Sequence, residues 1–381
     1  MLARARDLLP GIKSRARQTE QARAVPAETI AELHASGLFR MLQPARFGGH
    51  EAELVDFIDV VDLFATACAS TAWVYGVLTS HSVSLATYGE EAQEEIWGKD
   101  GASLSASSFV PTGKAVAVEG GYRISGSWPF ASACDYAQWA LLGGLVENPA
   151  GPPALMTFLL RMDELSIIDD WDVIGLAGTG SKSLVGKDVF VPARRALPFA
   201  QSIEGTTPGG KLHAHPLYRC PRHSCTPAVL AIVPVGIARG ALDSFIEYAM
   251  ARSARRGGKL GEQEQTQLKV SECEAEVDAA RLLLRRNCIE NLATIRASGT
   301  LTLEQRARNR RDHAYAVKLS LQAVDRLMSA SGAHGLYADH PMQRHFRDAH
   351  AAAAHIALSW DACGRSYGQV KLGVTPTDPF L

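Results

Sequence analysis

Arg344-His345-Phe346-Arg347-Asp348-Ala349-His350-Ala351-Ala352-Ala353-Ala354-His355-Ile356 is the stretch on which the reading of this chain turns. Its alanines and arginines, with no Gly or Pro among them, predict a helix inside a longer helical segment, 342–368. At about 100° per residue, Asp348, Ala352, His355 and Ser359 share one stripe, whereas His350 points well away from His355. Four small side chains precede His355 and leave room beside its imidazole for a planar ligand. A core histidine hydrogen-bonded to a neighbour is the competing reading. Neither 355 nor 356 is a carboxylate, so the segment offers an imidazole where it could have offered an acid.

Outward from this helix, three more segments rich in Ala, Leu, Glu and Arg (228–254, 263–297 and 303–331) predict long helices with short connections. With 342–368 they suggest an antiparallel four-helix bundle over 228–381. The preceding 202–227 is polar and rich in Gly, Pro and His, the texture of a loop or lid. Between 102 and 201 the pattern changes to short alternating or β-branched runs (122–126, 140–143, 187–192) punctuated by Gly and Pro. No helix-period segment separates them, so a small β-barrel or sandwich fits better than a parallel sheet. Residues 1–101 are helical, with Pro26 at a helix start, Gly37 and Gly48-Gly49 at stops, and Ile30, Leu33, Leu38 and Phe39 on one face. The chain is thus mainly α with an inserted β domain, and its 381 residues allow either several domains or one interlocked unit.

Lys plus Arg number 39 against 40 Asp plus Glu, so no long-range field favours nucleic acid or an anionic membrane. No apolar run approaches a membrane span by this reading, and Met1-Leu2-Ala3-Arg4-Ala5-Arg6 leads into an amphipathic helix, so a cytoplasmic enzyme is expected. Cys68, Cys134, Cys220, Cys225, Cys273, Cys288 and Cys363 are odd in number and scattered, and are expected as reduced thiols. His213, His215, Cys220, His223 and Cys225 gather soft ligands, but at a spacing that matches no common zinc site, so a mobile active-site loop without metal is expected there.

The pattern Gly332-x-x-Gly335-x-x-x-x-His340-Pro341-x-x-Arg344-x-x-Arg347-Asp348-Ala349 resembles the last helices of the acyl-CoA dehydrogenase fold, and Pro44-x-x-Phe47-Gly48-Gly49 resembles its N-terminal domain. Many such dehydrogenases carry Tyr-Glu where this chain has His355 and Ile356. A histidine there resembles the two-component flavin-dependent monooxygenases of group D, the branch of para-hydroxyphenylacetate and steroid-ring phenol hydroxylases. The resemblance spans nearly the whole chain. It implies an N-terminal helical domain, a central β-barrel and a C-terminal four-helix bundle, usually as a homotetramer. It also implies reduced FMN or FAD diffusing from a separate NAD(P)H-dependent flavin reductase, O2 as co-substrate, and a flavin C4a-hydroperoxide that hydroxylates a phenolic or indolic small molecule.

Residue by residue, the resemblance assigns catalysis to His355, His81 and Ser132. In Trp73-x-x-Gly76-x-x-x-x-His81, Trp73 would wall the aromatic pocket and His81 would bond the substrate. Ser107, within a serine-rich stretch running to Gly113 at the flavin-edge loop, would meet the substrate phenol and the flavin rim. Phe130 would stack on the flavin and Ser132 reach its N5. Trp171-x-x-x-Gly175-Leu176-x-Gly178-Thr179-Gly180-Ser181 would support the flavin through Thr179 and Ser181. Arg252 and Gln267 match residues that reach a flavin phosphate, often across a subunit boundary, and Arg222 is a second charge near the flavin. The competing readings are core packing for Trp73, a solvated turn for the serines, a plain turn cluster for the glycines and a surface ion pair for Arg252. Rival functions are an acyl-CoA dehydrogenase or oxidase whose base is Glu272, Glu274 or Glu276, a flavin-dependent S- or N-oxygenase, and a non-catalytic flavin-binding scaffold.

Overall fold

Two neighbouring helices show why the first hundred residues enclose a core. α5 (Ala69–Leu85) is apolar or small all round, the composition of a helix surrounded by others, and every residue but Val83 is buried. α4 (Leu54–Ala67) lies against it, and α1 (Leu2–Ser14) packs on α2 (Ala16–Ala22), α3 (Ala27–Ala35) and α4. Pro26 precedes α3 as expected, and Gly37 and Gly48 take left-handed conformations at the expected stops. α6 (Glu90–Trp97) leads into the sheet. The computed structural model describes residues 1–148, 151–253 and 258–381.

Seven strands follow: β1 (Ser105–Val118), β2 (Gly121–Ala131), β3 (Trp139–Val146), β4 (Ala154–Arg161), β5 (Ser166–Ile168), β6 (Lys182–Pro192) and β7 (Ala196–Pro198). Their order is β5-β6-β2-β1-β3-β4-β7, with β1 and β3 parallel and the other pairs antiparallel. The expected barrel is not formed, because no ladder joins β5 to β7 among the described residues. Each of those edge strands has three residues, too few to close a barrel of this width. The serine stretch 105–113, expected as a loop, is the first half of β1.

The segment 202–227 is not an open loop. α7 (Phe199–Glu204) and two short 3-10 turns carry it, Leu217 and Tyr218 are buried, and the Tyr218 hydroxyl donates to Leu42 O at 3.2 Å. α8 (Arg222–Ala251) starts well before residue 228, directly after Pro221. By length and hydropathy α8 is apolar enough to span a membrane, contrary to expectation, but most of its apolar residues are buried against α4, α5, α9, α10 and α11. Ala254, the expected end of this helix, and Gly257 of its motif lie outside the described residues.

α9 (Glu264–Ser298) and α10 (Leu303–Ser331) follow their expected bounds closely, the latter started by a capping box between Thr302 and Gln305. The expected single helix 342–368 is instead two, α11 (Pro341–Ala353) and α12 (Trp360–Lys371). Helix periodicity therefore stops short of His355, and the stripe from Asp348 to Ser359 does not exist as one face. One core joins Val61 and Leu78 of the first helices to Ile232, Leu284 and Val324 of the bundle, while the sheet has its own around Trp128, Leu142 and Phe158.

The cysteines also depart from expectation. Cys220 and Cys225 form a disulfide, since the turn at Pro221 into α8 brings their Cα atoms to 6.5 Å. The other five are free and buried.

Candidate active site

The site is built where α5, β1 and the break between α11 and α12 meet. On β1, the backbone carbonyl of Ser105 and the side-chain hydroxyl of Ser107 both reach the imidazole of His81 from α5. Nδ1 of His81 lies 2.5 Å from Ser105 O, and a carbonyl only accepts, so Nδ1 carries a hydrogen. Burial pushes the His81 pKa down to about 4, which keeps the ring neutral. Nε2 is therefore a bare lone pair, and it accepts the Ser107 hydroxyl at 2.8 Å.

His355 has the opposite arrangement. Its backbone is extended (φ −66°, ψ 128°) and its Nδ1 accepts Ala357 N–H at 3.2 Å, a capping bond that competes with continuation of the helix. Burial brings its pKa down to about 4 as well. With Nδ1 accepting on a neutral ring, Nε2 bears the hydrogen, and no group among the described residues takes it. The ring lies 6.0 Å from that of Trp73. His350, by contrast, is exposed and paired with Asp325 at 2.8 Å.

Trp73 is neither plain packing nor only a wall. Its Nε1–H donates to Ser132 Oγ at 3.2 Å, Ser132 meets Ser181 Oγ at 2.7 Å, and Ser181 meets Thr179 Oγ1 at 2.7 Å. The glycine-rich loop that supplies Thr179 and Ser181 is set by close packing. A Cβ on Gly175 would stand 2.3 Å from Arg347 O, and one on Gly178 would stand 2.5 Å from Thr19 Cγ2. Asp348, to which the sequence reading gave no role, holds this loop by accepting Leu176 N–H at 2.7 Å. Burial raises its carboxyl pKa to about 6.

Arg222 belongs to the histidine side of the site. Its Nη1 donates to Ser84 Oγ at 3.2 Å, and its guanidinium sits 3.5 Å from the ring centroid of Phe109. No carboxylate pairs with it among the described residues; burial lowers its pKa to about 10, and its charge disfavours protonation of both His81 and His355. Phe109, also given no role from the sequence, neighbours both Arg222 and His81, its ring edge-on to the imidazole with centroids 6.5 Å apart. Arg222, Phe109, Ser84 and Tyr88 line a narrow cavity.

Two predicted cofactor residues lie elsewhere. Arg252 is exposed beyond the end of α8, 5.3 Å from the Tyr248 ring, and Gln267 donates to Gly261 O at 3.2 Å. Neither touches the residues above. Of the His/Cys segment, His213 bonds Gln93 at 2.9 Å and His215 caps its own turn through Leu217 N. No group of three metal-binding side chains occurs among the described residues. The rival bases are engaged in ion pairs, Glu274 with Arg239 and Glu272 and Glu276 with Arg326.

These residues fit a reduced flavin. Phe130, two residues before Ser132, is held 62% exposed at φ 66°, edge-on to Trp171 at 6.2 Å. An aromatic residue in the left-handed region costs of order 1 kcal/mol or more, strain that gathers at ligand sites. The exposed ring, the Ser132 hydroxyl line and the unpartnered Nε2–H of His355 together offer an apolar face and polar edges for an isoalloxazine.

Comparison with known proteins adds independent findings. Residues 5–104 match the family described as acyl-CoA dehydrogenase, N-terminal domain, and 228–360 match acyl-CoA dehydrogenase, C-terminal domain. The chain is 39% identical over 379 residues to the FADH(2)-dependent resorcinol hydroxylase, oxygenase component, of Rhizobium sp. (strain MTP-10005), covering 97% of this chain and 93% of that protein. It is 36% identical over 376 residues to the flavin-dependent monooxygenase, oxygenase subunit HsaA, of Rhodococcus jostii (strain RHA1), covering 98% of each. The crystal structure of 3-HSA hydroxylase from Rhodococcus sp. RHA1 superposes with a TM-score of 0.95 at 35% identity, covering 100% of this chain and 98% of that one.

Proposed function

The chain belongs to the acyl-CoA dehydrogenase family, among its flavin-dependent monooxygenase oxygenase components, and from that membership we propose how its own residues carry the reaction. It is an enzyme that uses reduced flavin and O2 to hydroxylate an aromatic small molecule, in partnership with a separate reductase. The bound reduced flavin supplies the electrons that place one oxygen atom on the ring and send the other to water.

The substrate is a phenol. Its hydroxyl donates to Ser107 Oγ, Ser107 donates to His81 Nε2, and Nδ1–H of His81 is anchored on Ser105 O, a relay supported by the 2.8 Å and 2.5 Å bonds. An acceptor of pKa about 4 lies about 6 pKa units, or roughly 8 kcal/mol, below an ordinary phenol near 10, so deprotonation in advance of attack is unfavourable. The proton moves instead as the new C–O bond forms, when the ring hydroxyl becomes far more acidic. Arg222 raises the cost of charging His81, which keeps that imidazole a bare acceptor until this step. His355 donates from Nε2 across the ring, and Phe130 and Ser132 hold the flavin.

We further propose an NAD(P)H-dependent reductase, a cytoplasmic setting and a homotetramer. Leu268, Leu282 and Ile289, exposed at multiples of seven residues along α9, suit a second copy of this chain, and Arg252 and Gln267 at that end suit a flavin phosphate shared between copies. The carrying observation is the Ser105–His81–Ser107 relay. Its test is to supply dithionite-reduced FAD or FMN, O2 and simple phenols such as resorcinol, and to weigh product against hydrogen peroxide. Hydroxylated phenol is expected; peroxide alone from every phenol tried would remove phenols as the substrate class.

A further inference from the structure

The hydroxyl line beside Trp73 can distribute its hydrogens in only one way. Thr179 Oγ1 donates to Leu176 O at 2.8 Å, and a hydroxyl has a single hydrogen. The 2.7 Å contact between Thr179 and Ser181 must then run from Ser181 to Thr179. Ser181 has no second hydrogen, so its 2.7 Å contact with Ser132 runs from Ser132 to Ser181. Trp73 Nε1, which can only donate, fills one lone pair of Ser132 at 3.2 Å. Ser132 is left with one lone pair and no hydrogen to offer. All four residues are buried, so solvent does not relax this order.

We propose that this fixed polarity is a redox filter for flavin. Ser132 presents a pure acceptor, which suits reduced flavin, whose N5 bears a hydrogen, and opposes oxidised flavin, whose N5 offers a lone pair. To donate to an oxidised N5, Ser132 must abandon Ser181 and leave a buried oxygen without its donor. Trp73, Ser181 and Thr179 are positioning residues that act through Ser132, and a glycine-rich loop with no phosphate-binding fingerprint gains a chemical purpose. The line admits the reduced coenzyme from the reductase and helps expel it once oxidised. This inference rests on the reading that Ser132 faces N5.

Dissociation constants test it without turnover. Oxidised FAD and FMN are titrated by fluorescence, and the dithionite-reduced forms anaerobically by absorbance, against the full chain and four variants. Ser181→Ala removes the acceptor that holds the Ser132 hydrogen, and the ratio of oxidised to reduced Kd is expected to fall about tenfold, the effect of one net hydrogen bond. Thr179→Val leaves Ser181 free to donate to Ser132, which releases the same hydrogen with little change of shape, and the ratio falls likewise. Ser181→Thr keeps the hydroxyl and restores the parent ratio. Ser132→Ala lowers the ratio by weakening reduced flavin. If Ser132→Ala leaves both constants unchanged, the N5 reading itself fails. If Ser132→Ala shifts the ratio while Ser181→Ala and Thr179→Val leave it at the parent value, Ser132 touches flavin but the polarity inference is wrong.

Discussion

His81 and His355 are the same residue, brought to a pKa of about 4 by the same cause, and yet they are opposite reagents. On rigid α5, His81 has its Nδ1 hydrogen captured by a strand carbonyl and turns a lone pair toward Ser107. In the break after α11, His355 has its Nδ1 lone pair captured by a backbone N–H and turns a hydrogen outward. The backbone decides which nitrogen is used, and that decides acceptor or donor. A histidine seen in sequence does not say which it is.

The sharpest way to break this comparison is to remove the acceptor. His81→Leu is expected to lower single-turnover product yield about a thousandfold, within the usual range for a positioned acid–base group. Ser107→Ala should fall almost as far, and the double variant no further, because the two act as one relay. Additive losses in the product-yield assay would show that they act separately.

On the donor side the effects are smaller and more specific. His355→Ala should lower product yield about fiftyfold, the loss of one donor to a developing charge, with peroxide rising in its place. His355→Asn can both cap Ala357 and donate, and is expected to stay within about fivefold of the parent. If Asn behaves like Ala, donation from this position is not what matters. Asp348→Ala releases the Leu176 turn from α11, so it should lower yield about fivefold in the manner of the His355 variants. Thermal unfolding should show a loss of about 1–3 kcal/mol, since a buried backbone N–H is left without its partner.

The smallest expected effect is an absence. Both imidazoles are neutral down to about pH 4, so in Asp348→Asn, which removes the carboxyl that titrates at about 6, product yield per bound flavin should be flat from pH 8 to 5 and fall only below that. An inflection near 6.5 would mean that one ring titrates as an ordinary histidine. Stability behaves differently over the same window. Folded-state pKa values of about 4 for His81 and for His313, a fully buried residue of α10, lie below the unfolded value of 6.5, so the unfolded chain binds more protons between them. Their contribution is complete above 6.5 and is lost as pH falls toward 4, roughly 3 kcal/mol for each fully buried ring. Urea unfolding at pH 7 and 5 measures that slope.

Much of the fold was legible because its helices carry local punctuation. α10 begins at Leu303 as expected, where Thr302 and Gln305 form their capping box, and α3 begins after Pro26. The break at 354–359 was not legible, since it contains neither Gly nor Pro; the one signal was Ser359 before Trp360-Asp361, a modest helix start. β1 was missed as a strand because its serines lack β-branching, and only pairing with β2 and β3 makes it one. The open sheet depends on the length of its edge strands, which short runs in sequence do not reveal. His81, Ser107, Ser132 and His355 were found through motif resemblance. The Trp73–Ser132–Ser181 connection joins residues far apart in the chain and exists only in space.

The tautomers of the two histidines can be observed directly by 15N NMR of histidine-labelled protein at pH 7, with His81→Leu and His355→Ala used to assign the signals. Two neutral rings of opposite type are expected, His81 protonated at Nδ1 with a bare Nε2, and His355 protonated at Nε2 with a bare Nδ1. Two rings of the same tautomer, or an imidazolium at either position, would contradict that assignment.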